Sequence, residues 1–540
     1  MTRLKKALLY ILIAYLFALG VRFLLYYLAS QHPDFIYDDR IIAIWTADGG
    51  LHGHYAKELL AGHHLDFGPD TALGYLIYWI TKSGSLSLDT VIFVLPAFLA
   101  SLIVVPIVLI GFELGLLELG FLSALAASIG MNYYFRTHLG YTDTDILNYV
   151  LFYAILYSYI ALAKRGSILF GLVALLLNLL FLQWYHSAKP LVFGIWLFFV
   201  LYLLLFDRKN VGALLGAIVA FLAFLPLNPW VIVGLGGVVT AIFWYGSRRF
   251  GIDYRWILAL FVLGALGGGW YGYSHGFYKR AVEYLNKKEA YVLKDKAQRS
   301  VELEATLKTV AEARGITFDD LALYSAGGMS LFILGSLGFL LLMIRYKEAR
   351  ILLVAYLITL VSLRAGVRFS TFGVPVIVFG FFYLFYEIYQ KLSHKPFAKL
   401  VLYLPAMGLI GYYLYVIDGY NHLLKPFFLR GEVAALKGDL NDEKRGYILT
   451  WWDYGWPLWY YTNKRTIIDN GKHHYDNYII AKSLFESDHS FVANFDRFFV
   501  EQYDRIYPWA VLPYVIKKEP IDRLLARLKE SSLGVKKRNK

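Results

Sequence analysis

Residues 189–206 read Lys189-Pro190-Leu191-Val192-Phe193-Gly194-Ile195-Trp196-Leu197-Phe198-Phe199-Val200-Leu201-Tyr202-Leu203-Leu204-Leu205-Phe206. After Lys189 there is no charge until Asp207. As a helix the run rises about 27 Å, close to the roughly 30 Å of hydrocarbon in a bilayer. Similar runs recur at about 7–29, 88–112, 117–134, 147–163, 167–184, 211–227, 230–246, 256–273, 328–345, 350–364, 369–388 and 398–416. Together they predict a polytopic α-helical membrane protein with about thirteen transmembrane helices. The first run has a basic start (Arg3, Lys5, Lys6) but is too long for a signal peptide and reads as a retained helix.

Composition agrees. Of 540 residues, 58% are apolar and only 17% charged, against roughly a quarter charged in soluble domains. A row of soluble domains and a disordered chain are both excluded. With no cysteine there is no disulfide, thiolate metal site or cysteine nucleophile. The net charge of +13 would suggest nucleic acid in a soluble protein. Here Lys164-Arg165, Arg208-Lys209, Arg248-Arg249, Arg345-Lys347-Arg350 and Lys391-Lys395-Lys399 fall in alternate short loops. That pattern predicts a cytoplasmic N-terminus in the inner or plasma membrane, and charge spent on topology and anionic lipid, with no nucleic-acid partner.

Two external loops, about 30–87 and 274–327, are too long to be simple connections. The expected organisation is a transmembrane catalytic domain over 1–418 and a small external α/β domain over 419–540, on the periplasmic side. Within the latter, Tyr447-Ile448-Leu449-Thr450 and Thr466-Ile467-Ile468 read as strands.

Carboxylates at the outer ends of these helices stand out, because charge near hydrocarbon is costly and tends to mark function. Asp48, in Trp45-Thr46-Ala47-Asp48-Gly49-Gly50, precedes a helical stretch from His54 to Leu60 and fits either an N-cap or a site acid. Asp143-Thr144-Asp145 opens the fourth helix. Two carboxylates at that spacing can face one divalent ion, or one can cap the helix. Glu302 and Glu304, in Ser300-Val301-Glu302-Leu303-Glu304, lie in a stretch that reads as helix and are most simply solvated. His52, His54, His63 and His64 cluster without the spacing of a zinc site.

The tail carries Trp451-Trp452-Asp453-Tyr454-Gly455. Adjacent indoles beside a single acceptor can dock a small hydroxylated side chain, or the same rings can simply pack a core.

This pentapeptide resembles the signature of the catalytic subunit of oligosaccharyltransferase, the asparagine-linked glycosylation enzyme, and is most similar to the bacterial single-subunit form. Ala47-Asp48-Gly49 resembles the family's first acidic motif, and Arg136-Thr137 with Gly140-Tyr141-Thr142-Asp143-Thr144-Asp145 the second. Arg364-Ala365-Gly366-Val367-Arg368-Phe369 resembles a pyrophosphate-binding segment, and Asp469-Asn470-Gly471-Lys472-His473 the one after the signature. The resemblance implies the C-type glycosyltransferase fold. It also implies metal-dependent transfer of an oligosaccharide from a polyprenyl (pyro)phosphate carrier to the Asn amide of Asn-x-Ser/Thr sequons, with inversion at the anomeric carbon. Lipid-linked oligosaccharide, acceptor polypeptide and membrane lipid are the partners it implies.

By that resemblance Asp48, Asp143, Asp145 and a loop glutamate hold Mn²⁺ or Mg²⁺. Asp48 and the glutamate contact the acceptor amide. Trp451, Trp452 and Asp453 hold the sequon hydroxyl. Arg368, with Arg136 second, pairs with lipid phosphate. The family's loop pattern is Thr or Ser, a branched residue, any residue, then Glu. Ser300-Val301-Glu302-Leu303 and Val301-Glu302-Leu303-Glu304 each miss it by one position, and Glu304 is favoured over Glu302 as the ligand. Bacterial relatives often read an acid two residues before the acceptor Asn with an arginine before the tenth helix. Asp319-Asp320-Leu321-Ala322-Leu323-Tyr324-Ser325 has none. The family also implies a longer external domain, with a second acceptor motif, than the about 90 residues that follow the signature here. The alternatives are another polyprenyl-phosphate sugar transferase, such as a protein O-mannosyltransferase or lipid glycosyltransferase, or a transporter. A transporter would predict inverted repeats, and none is seen.

Overall fold

The computed structural model describes residues 2–63, 71–84, 86–249, 253–274, 290–298, 300–304, 312, 314–440, 446–471, 475–506 and 510–530. Each of the apolar runs is helical, but 88–112 divides into Leu88–Ser101 and Val104–Leu114, and 117–134 into Leu117–Ala127 and Met131–Phe135. Among the described residues seven helical spans are long and apolar enough to cross a membrane, from Arg3–Ser30 to Ala398–Asn421. An eighth is broken: Phe318–Ala326 and Met329–Arg345 meet at 73°. Gly327 (φ +94°) and Gly328 stand at that corner. Leu117–Ala127, Leu169–Trp184 and Val211–Phe224 are shorter apolar helices between them. This is the body of an integral membrane protein.

The first long loop holds the helices Ala47–Leu60 and Ala72–Ser83. Asp48 is not the N-cap. Thr46 is: its backbone is extended and its Oγ1 accepts from Gly49 N at 3.2 Å. A β-branched hydroxyl residue suits that position, so the Asp48 carboxylate has no capping duty.

In the second loop Ser300–Glu304 is a strand rather than a helix, antiparallel to Ala290–Lys294 with Glu302 opposite Val292 and Glu304 opposite Ala290. Alternating apolar Val301 and Leu303 is the period of a strand, not of a helix. The expected strands of the tail shrink to Tyr447–Ile448 and Arg465–Thr466, a parallel pair. Among the described residues the tail's other regular elements are helical, and Ile467 and Ile468 leave the strand to enter an apolar cluster with Trp452, Ile479, Phe495 and Leu512. Asp476 is buried beneath that cluster, where its carboxylate accepts from Val511 N and Leu512 N.

Candidate active site

The turn bearing Asp143 is held by the helix Leu88–Ser101. Pro96 has no N–H, so the Ile92 carbonyl four residues earlier lacks its helical donor. Thr142 Oγ1 supplies one at 2.7 Å, and Gly140 N donates to the next carbonyl, Phe93 O, at 2.8 Å. Gly140 adopts φ +78°, and a Cβ there would lie 2.6 Å from Trp45 Cγ. Only glycine lets this turn cross Trp45 and come beside the Thr46–Asp48 corner. On its other side Trp184 Nε1 donates to Thr144 O at 2.9 Å.

Arg136 gathers the acids. Its Nε donates to Asp145 Oδ2 at 2.7 Å and its Nη1 to Glu312 Oε2 at 3.0 Å, while Nη2 stands 4.0 Å from Asp143 Oδ2. Its guanidinium also lies over the Tyr141 ring. Asp145 is further fixed by Asn148 Nδ2 at 3.0 Å and Tyr149 OH at 3.2 Å. The neighbour of Arg136, Thr137, is anchored by Arg22, a fully buried cation in the first membrane helix. Arg22 donates to Thr137 O at 2.9 Å and Oγ1 at 2.7 Å, and its guanidinium lies over Tyr133 and Tyr134. Buried Asn132 ties the same stretch to the Arg368 segment through Val367 O, Ser370 Oγ and Thr371 Oγ1.

Two acids remain uncompensated. Among the described residues Asp48 makes no ion pair, and Asp143 only the long one. Burial pushes the Asp48 carboxyl up to about 7, the charges of Glu312 and Asp145 add to this, and Arg136 opposes it. Asp143 is held well above the usual carboxylate range by burial and by the charges of Asp145 and Asp48. Among the described residues no three His, Asp or Glu side chains converge as a ready-made metal site. The donor chemistry nonetheless fits a hard divalent cation: the groups are all oxygens, and the cluster carries more negative charge than Arg136 offsets.

The helix that begins at the end of the signature packs on the helix bearing Asp48. Trp452–Tyr454 forms one helical turn and Gly455–Tyr461 a short helix. A Cβ on Gly50 would lie 2.5 Å from Pro457 N, so the helix bearing Asp48 packs backbone to backbone on the signature helix. Lys57 Nζ donates to Tyr460 O at 3.0 Å, Tyr460 OH bonds Asp89, and Phe427 N donates to Ile44 O at 2.9 Å. Trp452 is 8% exposed and belongs to the tail's apolar cluster, whereas Trp451 and Asp453 are half-buried. Burial raises the Asp453 carboxyl. Arg368 is exposed, near the Phe369 ring.

Sequence reasoning missed Glu312. The Glu302 and Glu304 side chains lie outside the described residues, while the loop carboxylate beside Arg136 belongs to Glu312. Thr309-Val310-Ala311-Glu312 fits the loop pattern at every position. Carrying that pattern eight residues past Glu304 finds it. His64, His473 and His474 lie outside the described residues.

The chain matches two families, "Oligosaccharyl transferase STT3, N-terminal" over residues 60–414 and "STT3/PglB/AglB core domain" over 444–540. It is 27% identical over 543 residues to an undecaprenyl-diphosphooligosaccharide–protein glycotransferase of Campylobacter jejuni, covering 97% of this chain and 73% of that protein. Its fold is similar to crystal structures of an oligosaccharyltransferase from Archaeoglobus fulgidus. The apo form gives TM-score 0.65 at 16% identity, over 93% of this chain and 69% of that one. The complex with Zn and sulfate gives TM-score 0.58 at 16% identity, over 86% and 62%. A structure of the archaeal oligosaccharyltransferase AglB with an inhibitory peptide and a dolichol-phosphate gives TM-score 0.61 at 16% identity, over 87% and 65%. The chain thus spans about two thirds of the length of these solved relatives.

Proposed function

The chain belongs to the oligosaccharyl transferase STT3 family, and from that premise we propose that it transfers an oligosaccharide from a polyprenyl (pyro)phosphate carrier to the Asn side-chain amide of Asn-x-Ser/Thr sequons, in a metal-dependent reaction with inversion. An amide nitrogen is a poor nucleophile because its lone pair is delocalised into the carbonyl. Asp48 and Glu312, rather than Glu304, accept the two amide N–H bonds and draw that lone pair back toward nitrogen. Asp48, Asp143 and Asp145 hold Mn²⁺ or Mg²⁺, which when bound neutralises charge on the leaving phosphate. Arg368 pairs with the phosphate, since a guanidinium fork matches its oxygens. Arg136, spent on three carboxylates, positions them instead. A single displacement forms the bond from the amide nitrogen to the anomeric carbon as the bond to the phosphate oxygen breaks, which inverts that carbon, and one amide proton passes to the carboxylate pair.

Trp451 and Asp453 face the sequon's hydroxyl residue, and Trp452 backs them from the core. The N-terminus is cytoplasmic, residues 1–418 form the catalytic membrane domain, and residues 419–540 lie on the extracytoplasmic side with the site. One observation carries this reading: Arg136 brings Glu312 of the second long loop to Asp143 and Asp145, next to a helix packed on the signature. The test is an Asn-x-Thr peptide with lipid-linked oligosaccharide and Mn²⁺ on membrane-folded protein. Glycopeptide that disappears with EDTA supports the reading. No glycopeptide, with EDTA making no difference, overturns it.

A further inference from the structure

We propose that a groove at the other end of the helices, away from the carboxylates, binds one anionic phospholipid. The end is fixed by contacts. Asp145 opens its helix at the carboxylates, and Lys189 begins after Trp184, whose indole bonds Thr144 O at that same end. Phe206 and the following loop therefore lie at the opposite end, where Asn210 Nδ2 donates to Ala163 O at 2.8 Å.

There the helices Lys189–Phe206 and Met329–Arg345 enclose a cavity of about 450 Å³ lined by residues including Leu201, Tyr202, Phe206, Leu340, Met343 and Arg350. That is the size of a small-ligand cleft. Its rim is open to the apolar flank of the bundle: Leu205 is 72% exposed and Ile344 68%. An acyl chain can enter from the bilayer without crossing water.

One buried hydroxyl is left unsatisfied here, and one cation has no carboxylate partner among the described residues. Tyr202 is 2% exposed, and its hydroxyl has no hydrogen-bond partner among the described residues. Such an orphan is costly unless a ligand satisfies it. Arg350 uses Nε on Met343 O at 3.1 Å and lies 4.4 Å over the Phe206 ring. Among the described residues its terminal nitrogens have no carboxylate. The acid at this mouth, Asp207, is taken by Lys347 at 2.7 Å. Glu348 is buried with its charge reaching Tyr202, and Glu387, bonded by Tyr383, faces the same Tyr346 as Arg345. Arg350, Arg345 and, in the loop after Phe206, Arg208 and Lys209 outnumber these two acids. The excess is positive beside an apolar cleft, and that complements a phosphate headgroup on an acyl tail.

The test is native mass spectrometry of delipidated full-length protein titrated with phosphatidylglycerol, phosphatidylcholine or a polyprenyl phosphate. One phosphatidylglycerol should be retained in preference to phosphatidylcholine. Arg350→Gln should weaken it about fivefold, as about 1 kcal/mol per basic contact implies, and Arg350→Lys should restore most of the binding. Leu340→Trp, which fills the groove without altering charge, should remove it. Either Arg350→Gln or Leu340→Trp binding phosphatidylglycerol as the wild type does would overturn the proposal. So would displacement of the phospholipid by an equal concentration of polyprenyl phosphate, which would give the groove to an isoprenoid tail.

Discussion

Arg136 and Glu312 are 176 residues apart in the chain, and the guanidinium Nη1 meets the carboxylate at 3.0 Å. The same guanidinium holds Asp145 at 2.7 Å. One cation therefore joins the turn before the fourth helix to the end of the second long loop. Arg136→Leu removes the shared partner and leaves three like charges together. It should cut kcat by at least about 100-fold while peptide KM changes little, because the acids stay present but misplaced. Arg136→Lys, a point charge without the fork, should recover only part of the rate.

Asp48→Asn and Asp143→Asn each delete a charge from the uncompensated pair. Single-turnover glycosylation should fall by about 100-fold or more in each. A variant retaining more than about a third of the wild-type rate would remove that acid from the scheme.

The two tryptophans should separate. Trp451 is half-buried and Trp452 is 8% exposed in the tail's core. Trp451 packs against the edge of that core, so Trp451→Ala should raise peptide KM with a smaller loss of melting temperature than Trp452→Ala. Trp452→Ala should raise peptide KM too but also destabilise the fold by about 3 kcal/mol, through the cavity it leaves. Thermal unfolding beside peptide kinetics distinguishes them.

Acidity gives a signed prediction. The Asp48 carboxyl is raised from 3.8 to about 7 in the metal-free protein, by burial first and then by Glu312. A raised carboxyl stabilises the metal-free fold below about pH 4 and loses that contribution as pH rises through about 7. A divalent ion needs the ionised form. Mn²⁺ should therefore raise the melting temperature more at pH 8 than at pH 6, and its binding should release protons near pH 7. An equal gain at both pH values would contradict the shared carboxylate site.

Asp320 is occupied by the capping box of its helix, where its Oδ2 accepts from Thr317 Oγ1 at 2.7 Å. No arginine stands in residues 319–325 to read an acid two residues before the acceptor Asn. Peptides with and without Asp at that position should react within a few-fold of each other. A tenfold preference for Asp would refute this.

The helical body was legible because the runs are apolar and most are bounded by charge, but run length alone does not set the number of spans: seven helices are long enough to cross, and Leu117–Ala127, Leu169–Trp184 and Val211–Phe224 are shorter. Asp48 and Asp143 were legible for the same reason in reverse, as costly charges at helix mouths. The cap was misread because Thr46 and Asp48 are both good capping residues, and only the extended backbone at Thr46 separates them. Glu304 was favoured because two glutamates in five residues come close to the loop pattern; both stand on a strand of alternating period, and the loop carboxylate seen beside Arg136 is Glu312. Arg22 was hidden inside an apolar run. Its partner Thr137 is 115 residues away, a contact that no local period encodes. The role of Arg136 was likewise invisible, since Glu312 reaches it only through the fold.

Glu312 against Glu304 is the sharpest comparison. Single-turnover glycopeptide formation should be followed for Glu312→Gln and Glu304→Gln in membrane-folded protein at saturating Mn²⁺. Glu312→Gln should lose at least about 100-fold, while Glu304→Gln should stay within about threefold of wild type, the ordinary span for a residue outside the chemistry. Near-wild-type turnover in Glu312→Gln, with the loss falling on Glu304→Gln, would contradict the choice of Glu312.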